Sequence, residues 1–490
     1  GGGIFNLTPG TLSVDGITIS GNTANRAGGG IEISSATGET YSFNNVTFSG
    51  NNITTANPGN GGAFHISGPG NSTFTDCTVA NNTAAEGGGL WNGSGTMTVS
   101  GGTYNEATGN DPDQGGGALF NNGGTMIVNN FADIYSNIAT GTSGSGGAIL
   151  STGGTLNTDT IFLSSNGANR AGGGIEIIDG TANLLDISLI SNDVNGIATG
   201  GTPNPGNGGG LHITGNATNV TLSGIVFLNE AASEGGGLWN NGGSMNIQGG
   251  IFYTDTFIDF NKAEGDAADN GGGGIFNNGG TLTVAPNTQI VRNIASGAAG
   301  SGGGIFNLTP GTLIVDGVTF ENNTANRAGG GIELNSAMGE TFTFNNVVLN
   351  QNTVNAPAPG NGGGFHITGP GNVNFNNGIV TNNTAFEGGG LWNGTGTMTV
   401  TATTITGNTA NGDATGGGGI FNNGGILNVD AATDLTANVA MGATPGGRGG
   451  ALFNNTGGTL NIATGSTISG NYASRAGGAI EDASGNTLVL

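Results

Sequence analysis

The chain has one cysteine, Cys77, so no internal disulfide can form and the fold must rest on packing and hydrogen bonds. A lone thiol in an apolar stretch reads as a buried small residue. Basic residues are scarce: 7 Lys and Arg, including the single lysine Lys262, stand against 31 Asp and Glu for a net charge of -24. A surface of that sign repels nucleic acid and anionic membranes, so neither is an expected partner. No apolar run approaches the roughly 20 residues that cross a bilayer, so no membrane insertion is expected of this segment. Apolar residues nowhere recur at the spacing of a helix. An initiator Met and a signal peptide are both missing and the two ends fall inside repeats, so the chain reads as part of something longer. Low charge (8% of residues) with abundant Gly, Asn and Thr suits an extracellular or cell-surface location.

What is present is a repeat. Gly is 106 of 490 residues, far above the usual share of about 7%, and much of it falls in one five-residue module. Gly1-Gly2-Gly3-Ile4-Phe5 recurs as Gly28-Gly29-Gly30-Ile31-Glu32, Gly61-Gly62-Ala63-Phe64-His65 and so on through Gly477, giving 17 copies spaced 26 to 37 residues apart. Periods in this range mark a solenoid, whose length no single globular core limits.

The first repeat divides into three short strands: Ile4 to Asn6, Thr11 to Val14 and Ile17 to Ser20, with turns at Thr8-Pro9-Gly10 and Asp15-Gly16. Apolar and polar residues alternate within each, as a half-buried strand requires. Asn22 to Asn25 then closes the coil. Stacked coils of this kind make an all-β, right-handed parallel β-helix of about 17 coils, because crossovers between parallel strands are overwhelmingly right-handed.

A longer period overlies the first. Gly1 to Gly10 returns unchanged at Gly302 to Gly311, and Asn25 to Glu32 returns at Asn169 to Glu176 and Asn326 to Glu333. Five coils therefore form a superrepeat. We expect one continuous β-helix over 1–490, with superrepeats at 1–145, 146–301 and 302–448 and a partial copy at 449–490. Insertions are expected near Gly101 to Gln114, Gly249 to Asn270 and Thr401 to Thr415, and side loops at Asn57 to Asn60, Pro203 to Asn207 and Pro357 to Asn361.

The Gly-Gly-Ala-(Ile/Leu/Phe) modules at Gly61, Gly116, Gly146, Gly449 and Gly477, with Phe-x-x-Asn segments such as Phe48 to Asn51 and Phe320 to Asn323, resemble the repeats of the polymorphic outer membrane proteins. More broadly, they resemble the large β-helical surface proteins of bacteria. The resemblance covers nearly the whole chain and implies a secreted, surface-displayed passenger used in adhesion.

Chemistry should concentrate at the fifth position of the module. The fourth residue is always apolar and faces the core, so alternation points the fifth outward. That column contains Phe5, His65, Trp91, Phe120, His212, Trp239, Phe276, Phe306, His366, Trp392 and Phe421, with Glu32, Glu176, Glu333 and Glu481 among them, and it includes every Trp and His of the protein. It is expected to form an exposed aromatic stripe, a binding face for sugars or for another protein. Successive His lie five coils apart, too far to share a metal ion. Arg26, Arg170, Arg327 and Arg475 each precede one of those Glu by six residues, which reads as a local surface ion pair of at most about 1 kcal/mol.

Among cofactors, only Ca²⁺ has candidates, weak ones in the acidic loops: Asp255, Asp259, Asp266 and Asp269. Asn22, Asn81, Asn82, Asn322 and Asn323 read as stacked side-chain amide ladders. Pairs such as Thr11/Ser13, Thr40/Ser42, Thr73/Thr75 and Thr96/Thr98 form a Thr-x-Thr stripe that ordinary strand preference explains.

The expected function is a non-enzymatic, extracellular structural or adhesive fibre protein: a stiff rod that self-associates end to end or laterally and contacts a carbohydrate or cell-surface ligand. A carbohydrate-active β-helix enzyme, a polysaccharide lyase or hydrolase, is the alternative. That class needs a unique cleft with clustered Asp, Lys or Arg, whereas the charges here recur every five coils or sit in variable loops.

Overall fold

A computed structural model of the chain describes all residues except 56–58, 113, 356–358, 487, 489 and 490. Expected features at Asn57, Pro58, Pro357 and Asp113 therefore lie outside the described residues. The described residues form strands and turns with no helix, so no helix is long and apolar enough to cross a membrane. The strands pair in parallel from one turn of chain to the next, making a β-solenoid consistent with the expected right-handed parallel β-helix. The chain divides into two compact units, residues 1–233 with 237–256, and residues 234–236 with 257–490. The division does not follow the superrepeat boundaries.

In the first unit the module strands, from Ile4–Asn6 to Leu238–Asn241, pair in sequence to form the first sheet. Register is set by the module itself: Ile31 pairs with Phe64, Glu32 with His65 and Ile33 with Ile66. The second sheet takes two strands per turn, such as Thr40–Asn44 and Thr47–Ser49, and at Thr181–Ile190 the two merge into one long strand. The second unit repeats this plan, with module strands from Ile275–Asn278 to Ile480–Asp482.

The closing segment, expected to be a simple turn, pairs as well. Two-residue strands such as Thr23–Ala24, Asn52–Ile53 and Thr83–Ala84 form a third sheet, so each coil has four strands on three faces. The expected insertions are also smaller than expected. Thr103–Asn105 and Thr108–Gly109, Thr256–Asp259 and Lys262–Ala263, and Thr404–Thr406 and Thr409–Ala410 are ordinary strands of the second and third sheets. In the first of these, Tyr104 fills the core while Glu106 occupies an exposed left-handed turn with φ of 51°. Polar outward residues had hidden the alternation.

The interior is a stack of like upon like. Phe43 stacks on Phe74 at 4.8 Å with Phe64 edge-on to both, and the second unit repeats the trio as Phe344, Phe375 and Phe365. Ala139, Ala168, Val194 and Ala231 line up beneath the third sheet, where little room remains. Cys77 is fully buried, as expected.

Asparagine forms a ladder inside the turn before the third sheet. The Asn137 backbone N–H and Nδ2 both donate to Asn166 Oδ1, at 2.9 and 3.0 Å, and Asn166 donates in the same way to Asn192. Asn22, Asn51 and Asn82 form one run, and Asn293, Asn323, Asn352, Asn383, Asn408 and Asn438 another. Of the expected ladder residues, Asn22, Asn82 and Asn323 belong to it, whereas Asn81 and Asn322 are the exposed left-handed residues just before.

Candidate functional site

The fifth-position column is not an exposed stripe. His65, Trp91, Phe120, His212, Trp239, Phe276, Phe306, His366, Trp392 and Phe421 are all 7% exposed or less, and only Phe5, at 53%, is open to solvent. Alternation does point these side chains away from the main core, but the chain approaching the module folds back across them. The residue before each module joins a ladder of single bridges, such as Ala27 to Asn60 to Glu86 and Ala171 to Asn207. The first glycine then turns the chain with φ near +60°, as at Gly61, Gly208 and Gly362. A Cβ built at Gly208 would lie 2.5 Å from the Leu211 carbonyl oxygen and 3.0 Å from the His212 Cβ. Glycine at this point lets the backbone lie directly on the fifth side chain.

Beneath that cover the rings pack on their neighbours in adjacent coils. His65 stacks on Trp91 at 4.5 Å, and Trp91 on Phe120 at 6.2 Å. His212 stacks on Trp239 at 4.3 Å. In the second unit His366 lies 4.3 Å from Trp392, and Trp392 stacks on Phe421 at 6.1 Å. Trp91, Phe120 and Leu150 form one small apolar cluster, and Trp392, Phe421 and Phe453 another. The column is thus a second, thinner core.

Glutamate and arginine complete a network with the histidines. Glu176 is fully buried; it accepts from Arg170, and His212 Nδ1 lies 3.1 Å from its Oε1. Arg170 Nε also donates to Ser145 Oγ at 2.8 Å. The second unit repeats the set: Arg327 Nη1 is 3.8 Å from Glu333 and 3.0 Å from Ser301 Oγ, while His366 Nδ1 lies 2.6 Å from Glu333 Oε2. Arg26 pairs with Glu32 in the first coils. These carboxylates are buried, so the expected surface ion pair is instead a half-buried one. The fourth expected pair differs also, since Glu481 takes Arg448, from the preceding coil, rather than Arg475.

Burial governs protonation here. It pushes the His65 imidazole down to about 3, helped by the Arg26 charge. His212 is also lowered by burial, against the opposing pull of Glu176. For Glu176, burial alone would raise the carboxyl, but His212 and Arg170 outweigh it and hold it low. Glu86 and Glu387 are raised by burial, each accepting a hydrogen bond from the indole of Trp91 or Trp392, at 3.1 and 3.4 Å. The network therefore contains neutral imidazoles at His65 and His212, with the Thr214 and Thr368 hydroxyls 3.4 Å from His212 Nδ1 and His366 Nδ1.

One opening reaches this network in the first unit. Arg170, Ala171, Pro205, Asn207, His212, Thr214, Trp239 and Asn241 line a notch of about 190 Å³.

The four acids considered for Ca²⁺ do not converge. Asp259 is bound by Arg292 and Asp266 accepts the Ala298 N–H. Among the described residues no group of three or more His, Cys, Asp or Glu could hold a metal ion. The Thr-x-Thr stripe is real on the outer face of the second sheet, though its register differs: Thr73 pairs with Ser42 and Thr98, so the column partner is Asn71 rather than Thr75. No family model, curated protein or solved structure matches the chain.

Proposed function

We propose that this is a non-enzymatic structural or adhesive protein of the extracellular fibre type, a repetitive scaffold that acts through its outer faces. The observation that carries this reading is the fate of the chemically capable side chains. His, Glu, Arg and Trp recur together around the buried Glu32, Glu176 and Glu333, whereas an active site is a single cleft with groups in distinct roles. Six of the seven basic side chains are held in ion pairs with acids, so the surface offers uncompensated negative charge and neutral hydrogen-bonding groups. Outward columns of the second sheet, such as Thr96, Thr125, Thr155 and Thr181 in register, supply uncharged hydroxyl rows for contact with other chains or with a surface. The resemblance to bacterial β-helical surface proteins points the same way. Incubation with a panel of polysaccharides tests the proposal: no new reducing ends and no unsaturated sugar are expected, and release of either would overturn it.

A further inference from the structure

The notch at His212 has what a small polar ligand needs and lacks what a structural joint needs. Asn207 Oδ1 is buried with no hydrogen-bond partner, and leaving such an atom unsatisfied costs about 1–3 kcal/mol. The same defect recurs in the first copy, whereas in the third the corresponding Asn361 amide donates to the Pro359 carbonyl and to Glu387 Oε2. Asn60 Oδ1 and His65 Nδ1 are orphaned in the first and His366 Nε2 in the third, although each residue is at least nine-tenths buried. The same amide oxygen left unsatisfied at Asn60 and at Asn207 points to a guest rather than to an accident of packing.

The chemistry of the guest follows from the walls. A hydroxyl group donates and accepts, so it can meet an orphan amide oxygen or an orphan imidazole nitrogen. Charge within the notch is already compensated, because Arg170 is paired with Glu176 and burial keeps His212 neutral. With the whole chain at -24, a polyanion is repelled. The His212 ring covers a face of Trp239, so the indole meets a ligand by its edge, and hydrogen bonds dominate over ring stacking. A volume of about 190 Å³ suits one ring rather than a peptide segment.

We propose that this notch is a binding site for a single ring of a neutral, hydroxyl-rich glycan. The assignment rests on the adhesive reading above and names its ligand class.

The three Trp of the protein, Trp91, Trp239 and Trp392, all lie in this network, so their emission reports on the site directly. The full chain is titrated with glucose, galactose, N-acetylglucosamine and the β-linked pentamers of glucose and N-acetylglucosamine, while tryptophan fluorescence is followed. At least one should give a saturable change. The change should vanish in the variant Asn207→Ala. That variant is expected to fold, because Ala already stands at Ala27, Ala171 and Ala328 in the same bridge column, and its circular dichroism and melting checks this. No saturable change up to about 100 mM, where even contacts of a few kcal/mol would register, overturns the proposal; so does a response that survives in the folded variant, or one confined to anionic polysaccharides. None of these outcomes touches the non-enzymatic reading, which fails only if the polysaccharides are cleaved.

Discussion

At the first glycine of each module two constraints coincide, and they can be separated by mutation. Gly123 and Gly208 both have positive φ, but a Cβ at Gly123 meets nothing within 4 Å while one at Gly208 meets the Leu211 carbonyl at 2.5 Å. Gly123→Ala should therefore cost about 1–2 kcal/mol, the left-handed penalty alone. Gly208→Ala should cost at least about 1 kcal/mol more, read as the difference between their denaturant midpoints. At the fifth position, Trp239→Ala should destabilise by about 3–5 kcal/mol, as for a core aromatic; a surface ring would cost little. Acid should also weaken the fold. His65 ordinarily titrates at 6.5 but is held at about 3 in the native state, so between those values the unfolded chain binds the extra proton and stability falls as pH falls. The lowered Glu176 carboxyl acts in the same direction, its contribution being lost as pH drops through its depressed native value. His65→Gln should flatten the stability profile between pH 6.5 and 3, measured by chemical denaturation at each pH. The composition of this column was legible in the sequence down to every residue, but its burial was not. Alternation reports which side of a strand a residue faces; it is silent on whether a later piece of chain, here the bridge residues before each glycine, lies across that side.

Among the elements, the asparagine ladder does the work that a turn ordinarily leaves to water. Asn166 Oδ1 accepts from both the backbone N–H and the side chain of Asn137, so Asn166→Ala strands the buried Asn137 N–H, while the Asn137 side chain keeps the Tyr104 and Tyr135 carbonyls. A loss of about 1–3 kcal/mol is expected. Equilibrium unfolding of the variant checks this, and a change below 1 kcal/mol would mean the ladder is dispensable. The chain itself contains one gap, at Ala107, where the Asn82 amide turns to the Ala80 and Phe48 carbonyls. Strand existence was readable wherever outward residues were Thr or Ser. It was missed at Thr103–Asn105 and in the two-residue strands of the third sheet, because polar turn residues and runs of two leave no periodicity to read. The Asn81/Asn82 pair shows the same limit: both are asparagine, yet one occupies a left-handed turn and the other hydrogen-bonds in the interior.

For the molecule as a whole, the five-coil rhythm is a rhythm of packing. Where the fifth position is Glu or His, the sixth is Ile or Leu and joins the core, as in Glu32-Ile33, His65-Ile66 and Glu333-Leu334, except at Glu481-Asp482. Where it is Trp or Phe, the sixth is often Asn in a second amide ladder, as in Asn92 to Asn121 and Asn393 to Asn422 to Asn454. Polar and apolar layers thus alternate across the two cores, and the repeat maintains interior complementarity rather than displaying a surface motif. From His65 to Phe421 the aromatic column lies inside the fold. Acrylamide quenching of the native protein tests this directly, since all three Trp belong to the column. Burial predicts blue-shifted emission with little quenching until the chain unfolds; emission and quenching already equal to those of the unfolded chain would contradict it.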